Sequence, residues 1–110
     1  MTPLRLTHAT ALVIRALAAG HRHGFEIMEV SGLASGTVYP ALRRLEREGM
    51  VSSTWEGRAL AREAGRPRRR MYRLTAKGDA MAAAAAERLA DAGRFLSGEG
   101  LRPAEGEGRG

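Results

Sequence analysis

Between Leu4 and Ala19 the apolar residues Leu6, Ala9, Leu12, Val13, Ala16 and Leu17 return at helical spacing, and Gly20 follows them. That is the pattern of an amphipathic helix with a glycine stop. After the polar link His21-Arg22-His23, the segment GFEIMEVSG is long enough for about two helical turns. It offers Phe25, Ile27, Met28 and Val30 to a core, and Gly32 is placed to end it. A third pattern runs through SGTVYPALRRLEREG, Ser35 to Gly49. At about 100° per residue, Val38, Leu42 and Leu45 fall on one stripe, Pro40, Arg43 and Arg47 on the opposite side, and Tyr39 on the flank. Proline has no N–H to give and belongs in a first turn, so this helix is expected to begin near Gly36, with Ser35 or Thr37 as its cap.

Beyond Gly49 the pattern changes. VSSTWE, Val51 to Glu56, and RMYRLT, Arg70 to Thr75, are rich in strand formers and suggest a hairpin. The intervening GRALAREAGRPRR is too long for a tight turn. It carries Arg58, Arg62, Arg66, Arg68 and Arg69 against Glu63, and reads as a long, mobile, cationic loop. Thr75 is the expected cap of a last helix through AKGDAMAAAAAERLADAGRFL, whose stripe is Met81, Ala85, Leu89, Ala92 and Leu96. From Ser97 the chain turns to SGEGLRPAEGEGRG, the composition of a disordered tail.

Helix, short helix, helix, basic hairpin is the layout of a winged helix-turn-helix. The expected fold is therefore mainly α with a small β-hairpin: a DNA-binding domain over 1–75, a C-terminal dimerisation helix over 76–97 and a tail over 98–110. In such a layout the third helix turns its N-terminal half to base edges in the major groove, and the hairpin reaches flanking backbone or minor groove.

Length and charge fit that expectation. A chain of 110 residues makes one small domain with a modest core, to which a second copy would add stability. Its 18 basic residues against 12 acidic give a net charge of +6, which favours a polyanionic partner. An arginine bias can also be the imprint of a GC-rich genome, so the concentration of arginines beside the predicted reading helix is the stronger sign of double-stranded DNA. With no cysteine, disulfides, thiolate nucleophiles and cysteine-containing zinc sites are excluded. The apolar stretch ATALVIRALAAG is too short to span a bilayer, is broken by Arg15 and lacks a signal-peptide layout, so no membrane partner and a cytoplasmic location are expected.

Phosphate-cradling GxxxxGK[ST], the GxSxG elbow and HExxH do not occur, so neither an enzyme nor a cofactor is expected. His21, His23 and Glu26 lack the spacing of a metal site; His23 reads as a packed or turn-bonding histidine, and no metal is expected. Trp55, alone on a strand, is expected to bury its ring as an anchor of the wing.

Three segments carry a resemblance: HGFEIM at His23 to Met28, SGTVYPALRRLEREGMV at Ser35 to Val51, and GRPRRRMYRLTAKG at Gly65 to Gly78. In this order, and with the first helix, they cover most of residues 3–80 and resemble the PadR-like transcriptional regulators. The resemblance implies that Ser35, Gly36, Thr37, Tyr39 and Pro40 open a recognition helix and that Gly65-Arg66-Pro67 is a turn in the wing. The DNA-facing set is then expected to be those five residues with Arg43, Arg44, Arg47, Arg66, Arg68 and Arg69. An Ala-rich stripe permits close approach of a partner helix, and the resemblance points to a homodimer formed by the first and last helices through Leu6, Leu12, Met81, Ala85, Leu89, Ala92 and Leu96.

The chain departs from many members in a short link from Glu29 to Ser35, which implies an early end to the second helix, and in a single C-terminal helix like that of the family's compact branch. Some relatives bind aromatic drugs between tryptophans at the dimer interface. The last helix here has only Phe95, so a small-molecule inducer is allowed by the resemblance and supported by no residue. The function expected is a sequence-specific, homodimeric regulator, a repressor on an inverted-repeat operator. The rival readings are a sequence-indifferent nucleoid protein and a winged-helix module that docks an acidic protein.

Overall fold

The computed structural model describes residues 6–97. Its elements are α1 (His8–Ala18), α2 (Gly24–Ser31), α3 (Ser35–Arg47), β1 (Val51–Trp55), α4 (Arg58–Glu63), β2 (Arg70–Leu74) and α5 (Ala76–Ser97). The helical start expected at Leu4 and the tail at 98–110 lie outside the described residues. Helix α1 begins at His8 because Thr7 caps it, its Oγ1 accepting the Thr10 N–H at 3.1 Å. Leu6 therefore precedes the helix, and packs against the core from there.

The core lies where α1, α2 and α3 meet. Val13, Ile14, Ile27, Val38, Leu42 and Leu45 are its fully buried large residues. Gly32, at φ +75°, takes the left-handed turn that ends α2 and leads into α3. Phe25 and Val30, expected in the core, are exposed instead. An eight-residue helix turns one narrow stripe inward, here Gly24, Ile27, Met28 and Ser31, and those two residues fall off it.

Strands β1 and β2 form the expected antiparallel hairpin, with Val51 opposite Leu74 and Trp55 opposite Arg70. The link between α1 and α2 joins its edge: the Tyr72 N–H donates to the Arg22 carbonyl at 2.7 Å, and His23 bridges Met71. The long cationic connection is not the open loop expected. It contains α4, pinned by the buried Ala61, and Gly65 at φ +70° turns the chain back towards β2. Six residues hold too little periodicity to show a helix in sequence.

Thr75 caps α5, its Oγ1 accepting the Gly78 N–H at 3.1 Å. The same residue binds the end of α3's connection: its N–H donates to the Met50 carbonyl at 3.0 Å and its hydroxyl to the Gly49 carbonyl at 2.6 Å. Lys77 Nζ donates to the Glu48 carbonyl at 2.8 Å, and Gly78 lies so close to the Met50 carbonyl that no Cβ fits. From this root α5 runs along α1. Among the described residues no helix is long and apolar enough to cross a membrane.

Candidate nucleic-acid interface

Helix α3 turns Val38, Ala41, Leu42 and Leu45 inward and leaves Arg43 and Arg47 fully outward, with Arg44 half-buried. Neither Ser35 nor Thr37 is its cap. Ala34 holds that position without a side-chain bond, and its carbonyl takes both the Thr37 and Val38 N–H groups. The Ser35 and Gly36 N–H groups and the Ser35 and Thr37 hydroxyls are thus gathered at an exposed, partly positive helix end. Pro40 is the sixth residue of α3, which begins at Ser35, one residue before the expected Gly36. Its missing N–H removes the donor for the Gly36 carbonyl, a group that this exposed position leaves open to solvent.

Tyr39 lies on the flank, half-buried, its ring across Gly24, where any Cβ would overlap it. Among the described residues its hydroxyl has no hydrogen-bond partner. Glu46, on the outer side of α3, accepts from Ser53 Oγ at 2.7 Å and faces Arg70 at 3.8 Å, which sets the hairpin beside the helix.

The wing is organised by Glu56, a residue given no role by the sequence. Its carboxylate receives Arg66 through both guanidinium nitrogens, at 2.6 and 2.9 Å, and the Arg69 N–H at 3.3 Å. Its backbone carbonyl takes Arg68 Nε at 2.8 Å, and its N–H donates to the Arg69 carbonyl at 2.8 Å. The bonds from Arg66, and then the Arg69 N–H, outweigh burial and hold the carboxyl at about 2. Arg66, expected on the DNA side, is paired with Glu56. The sequence signal was Glu56 itself, an acid at the strand end that also faces the loop's arginines.

Trp55 does not bury its ring: it is 55% exposed, with the Arg68 and Arg70 guanidiniums 5.8 and 5.2 Å from the ring centroid. It shares a strand face with the buried Val51, but four residues further on that face has passed the edge of the core. Arg69 Nη1 lies 3.1 Å from His23 Nε2, while His23 Nδ1 lies 3.3 Å from the Glu26 N–H at the start of α2. A neutral imidazole has one bare nitrogen, so only one of these contacts is a hydrogen bond in either tautomer. Burial, then the Arg69 charge, lowers the His23 pKa and keeps the ring neutral. Glu26 accepts from the Arg22 N–H at 3.0 Å and faces His21 at 3.5 Å, so the three side chains once weighed as a metal set are engaged locally.

Of the residues expected to meet a second copy, Ala85 is fully covered within its own chain, and Leu6, Met81 and Leu89 pack on the same core. Burial on α1, whose spacing matches, took them first. Leu12 and Ala92 are half-buried, while Phe95 and Leu96 stand 55% and 80% exposed.

Comparison with known proteins bears on these surfaces. No curated protein matches the chain. Among solved structures it is similar to a PadR family transcription regulator from hypervirulent Clostridium difficile R20291, at 22% identity and a TM-score of 0.65, covering 83% of this chain and 96% of that one. It is also similar to the PcaV transcriptional regulator from Streptomyces coelicolor in complex with its natural ligand, at 22% identity and a TM-score of 0.66, covering 92% of this chain and 64% of that one. The transcriptional regulator YodB from B. subtilis, in its reduced form, is similar at 27% identity and a TM-score of 0.57, covering 78% of each chain. These likenesses share the winged-helix architecture. The sequence profile of the transcriptional regulator PadR-like family matches residues 13–84, from within α1, through α3 and the wing, into α5. The chain belongs to the PadR-like family of transcriptional regulators, whose members are regulators and not enzymes.

Proposed function

We propose that the protein is a homodimeric repressor that binds an inverted-repeat operator with one α3 per half-site and occludes a promoter. The observation that carries this reading is the unobstructed outer face of α3, with Ser35, Thr37, Arg43 and Arg47 exposed beside an arginine-rich wing. Residues 1–75 act as the DNA-binding unit and 76–97 as the dimerisation helix. Support for the second copy comes from Phe95, Leu96 and Ala92, which with His8 line an open apolar recess of about 500 Å³ that a lone chain leaves uncovered. A cytoplasmic location follows from the DNA partner. PcaV, similar in fold, is in complex with its natural ligand, and that likeness allows a small-molecule inducer here.

Footprinting on the DNA around the protein's own gene tests the operator. The expected result is protection of a two-fold symmetric site with half-sites about one helical turn apart. Equal affinity for random DNA would instead make it a nucleoid protein, and the absence of salt-dependent DNA binding would make it a protein-docking module. Sedimentation at roughly tens of micromolar should show a dimer; a monomer there removes the homodimer.

A further inference from the structure

A cleft of about 230 Å³ opens between the start of α2, Tyr39 and the wing, lined by His23, Tyr39, Trp55, Arg68, Arg69 and Arg70 among others. Three features mark it as more than a gap. The indole of Trp55 is more than half exposed, which is unusual for so large an apolar surface. Among the described residues Arg68 and Arg69 have no salt bridge, Glu56 being taken by Arg66 and Glu46 by Arg70. The Tyr39 hydroxyl, on the opposite wall, is also without a partner.

We propose that this cleft binds a free purine mononucleotide, its base stacked on Trp55 and its phosphate held by Arg68 and Arg69. The pairing of features selects that chemistry. Arginines alone would suit any phosphate, but an accessible indole adds affinity only for a ligand with a free π-face. Duplex DNA keeps its bases stacked inside and offers a cleft of this kind only its backbone. The Arg68 and Arg70 guanidiniums now over the indole are on flexible stems, and a base can displace them while their charge turns to the phosphate. At about 230 Å³ the cleft is smaller than the roughly 300–1,000 Å³ of pockets that enclose drug-sized ligands, so it covers one nucleotide in part and has no room for a second. Arg68 also belongs to the proposed DNA face. If that reading holds, an occupied cleft competes for it and makes operator binding sensitive to nucleotide.

Trp55 is the only tryptophan in the chain, so its emission reports on the cleft directly. Titrating the full chain with GMP should give saturable quenching with a midpoint below about 1 mM. Guanosine and inorganic phosphate should each bind at least about tenfold more weakly, because each supplies half of the recognition. Arg68→Ala should raise the GMP midpoint by about tenfold or more, read at a temperature where both chains are folded. Trp55→Phe, followed by calorimetry, should weaken GMP binding and serves as a second variant. No saturable quenching by about 10 mM GMP overturns the proposal, and so does equal binding of inorganic phosphate. It is also overturned if duplex DNA shifts Trp55 emission where GMP does not, since the cleft then belongs to the DNA backbone. Failure of the operator footprint leaves the GMP titration standing, so the two ideas fall separately.

Discussion

Helix α3 and the wing are both rich in arginine, yet their guanidiniums stand in different conditions. Arg43 and Arg47 project from a helix held by burial of its other face, and make no ion pair among the described residues. In the wing, Arg66 is locked on Glu56, Arg70 faces Glu46, Arg68 is tied to a backbone carbonyl beside Trp55, and Arg69 touches His23. One region is fixed by apolar packing, and its outward arginines take no part in holding it. The other is partly built from the charges it displays. A count of basic residues treats the two alike, and the structure separates them.

The largest expected effect breaks the apolar side of this contrast. Leu42→Ala removes a fully buried side chain from α3 and should lower stability by about 2 to 5 kcal/mol. Thermal melting at low and high salt should give the same loss; a loss below about 1 kcal/mol, or one that varies strongly with salt, would show that α3 is not held by burial.

On DNA the two regions should part. Arg43→Ala should cost about 1 to 3 kcal/mol on the operator and relax preference at one base position. Arg68→Ala should weaken all duplexes alike and flatten the salt dependence by about 0.9 log units for the lost phosphate contact. Arg66→Ala should leave that slope unchanged and lower thermal stability, because its partner is Glu56. Binding titrations across salt concentrations decide it: a slope that falls for Arg66→Ala as much as for Arg68→Ala would place Arg66 on phosphate after all.

Acid should loosen the wing before the helix. Glu56 sits at about 2 in the folded chain against an ordinary 4.5, so its contribution is fully present above about 4.5 and is lost as pH falls towards 2. His23 acts in the same sense, since its pKa is lowered from 6.5 and the unfolded chain takes up that proton first. The melting temperature of Glu56→Gln should therefore depend less on pH between about 4.5 and 2 than that of the parent chain. Identical acid profiles would remove Glu56 as the wing's organiser.

The smallest effect belongs to the boundary between the regions. Tyr39→Phe deletes a hydroxyl that has no partner among the described residues and keeps the ring on Gly24. Stability should hold within about 0.5 kcal/mol, while DNA affinity falls by the roughly 0.5 to 1.5 kcal/mol of one net hydrogen bond. A destabilised variant with unchanged affinity would make Tyr39 a core residue only.

What the sequence made legible follows the same division. The stripe Val38, Leu42 and Leu45, the stop at Gly32, the cap at Thr75 and the hairpin all rest on local spacing or on one residue's backbone preference, and all are present. What it concealed depends on which surface another element covers. Ala85 and Leu89 have the spacing of an interface, and α1 covers them in the same chain. Phe25 and Trp55 have the hydrophobicity of core residues, and stand more than half exposed at the margin of the core. Arg66 meets an acid ten residues away across the wing, a pairing that periodicity does not encode. The proline of α3 marked the helix start to within one residue, Ser35 against the expected Gly36, while the cap stayed hidden because Ala34 carries no side-chain acceptor to announce it.

The joint at Thr75, Lys77 and Gly78 gives α5 a mechanical character. Its first turn is fastened to three successive carbonyls, those of Glu48, Gly49 and Met50, at the tail of α3, with no slack residue between them. A helix of 22 residues extends about 33 Å from that fastening. Because α5 also lies along α1, the fastening and the packing together hold its far end, where Phe95 and Leu96 project, at a set distance from the tail of α3.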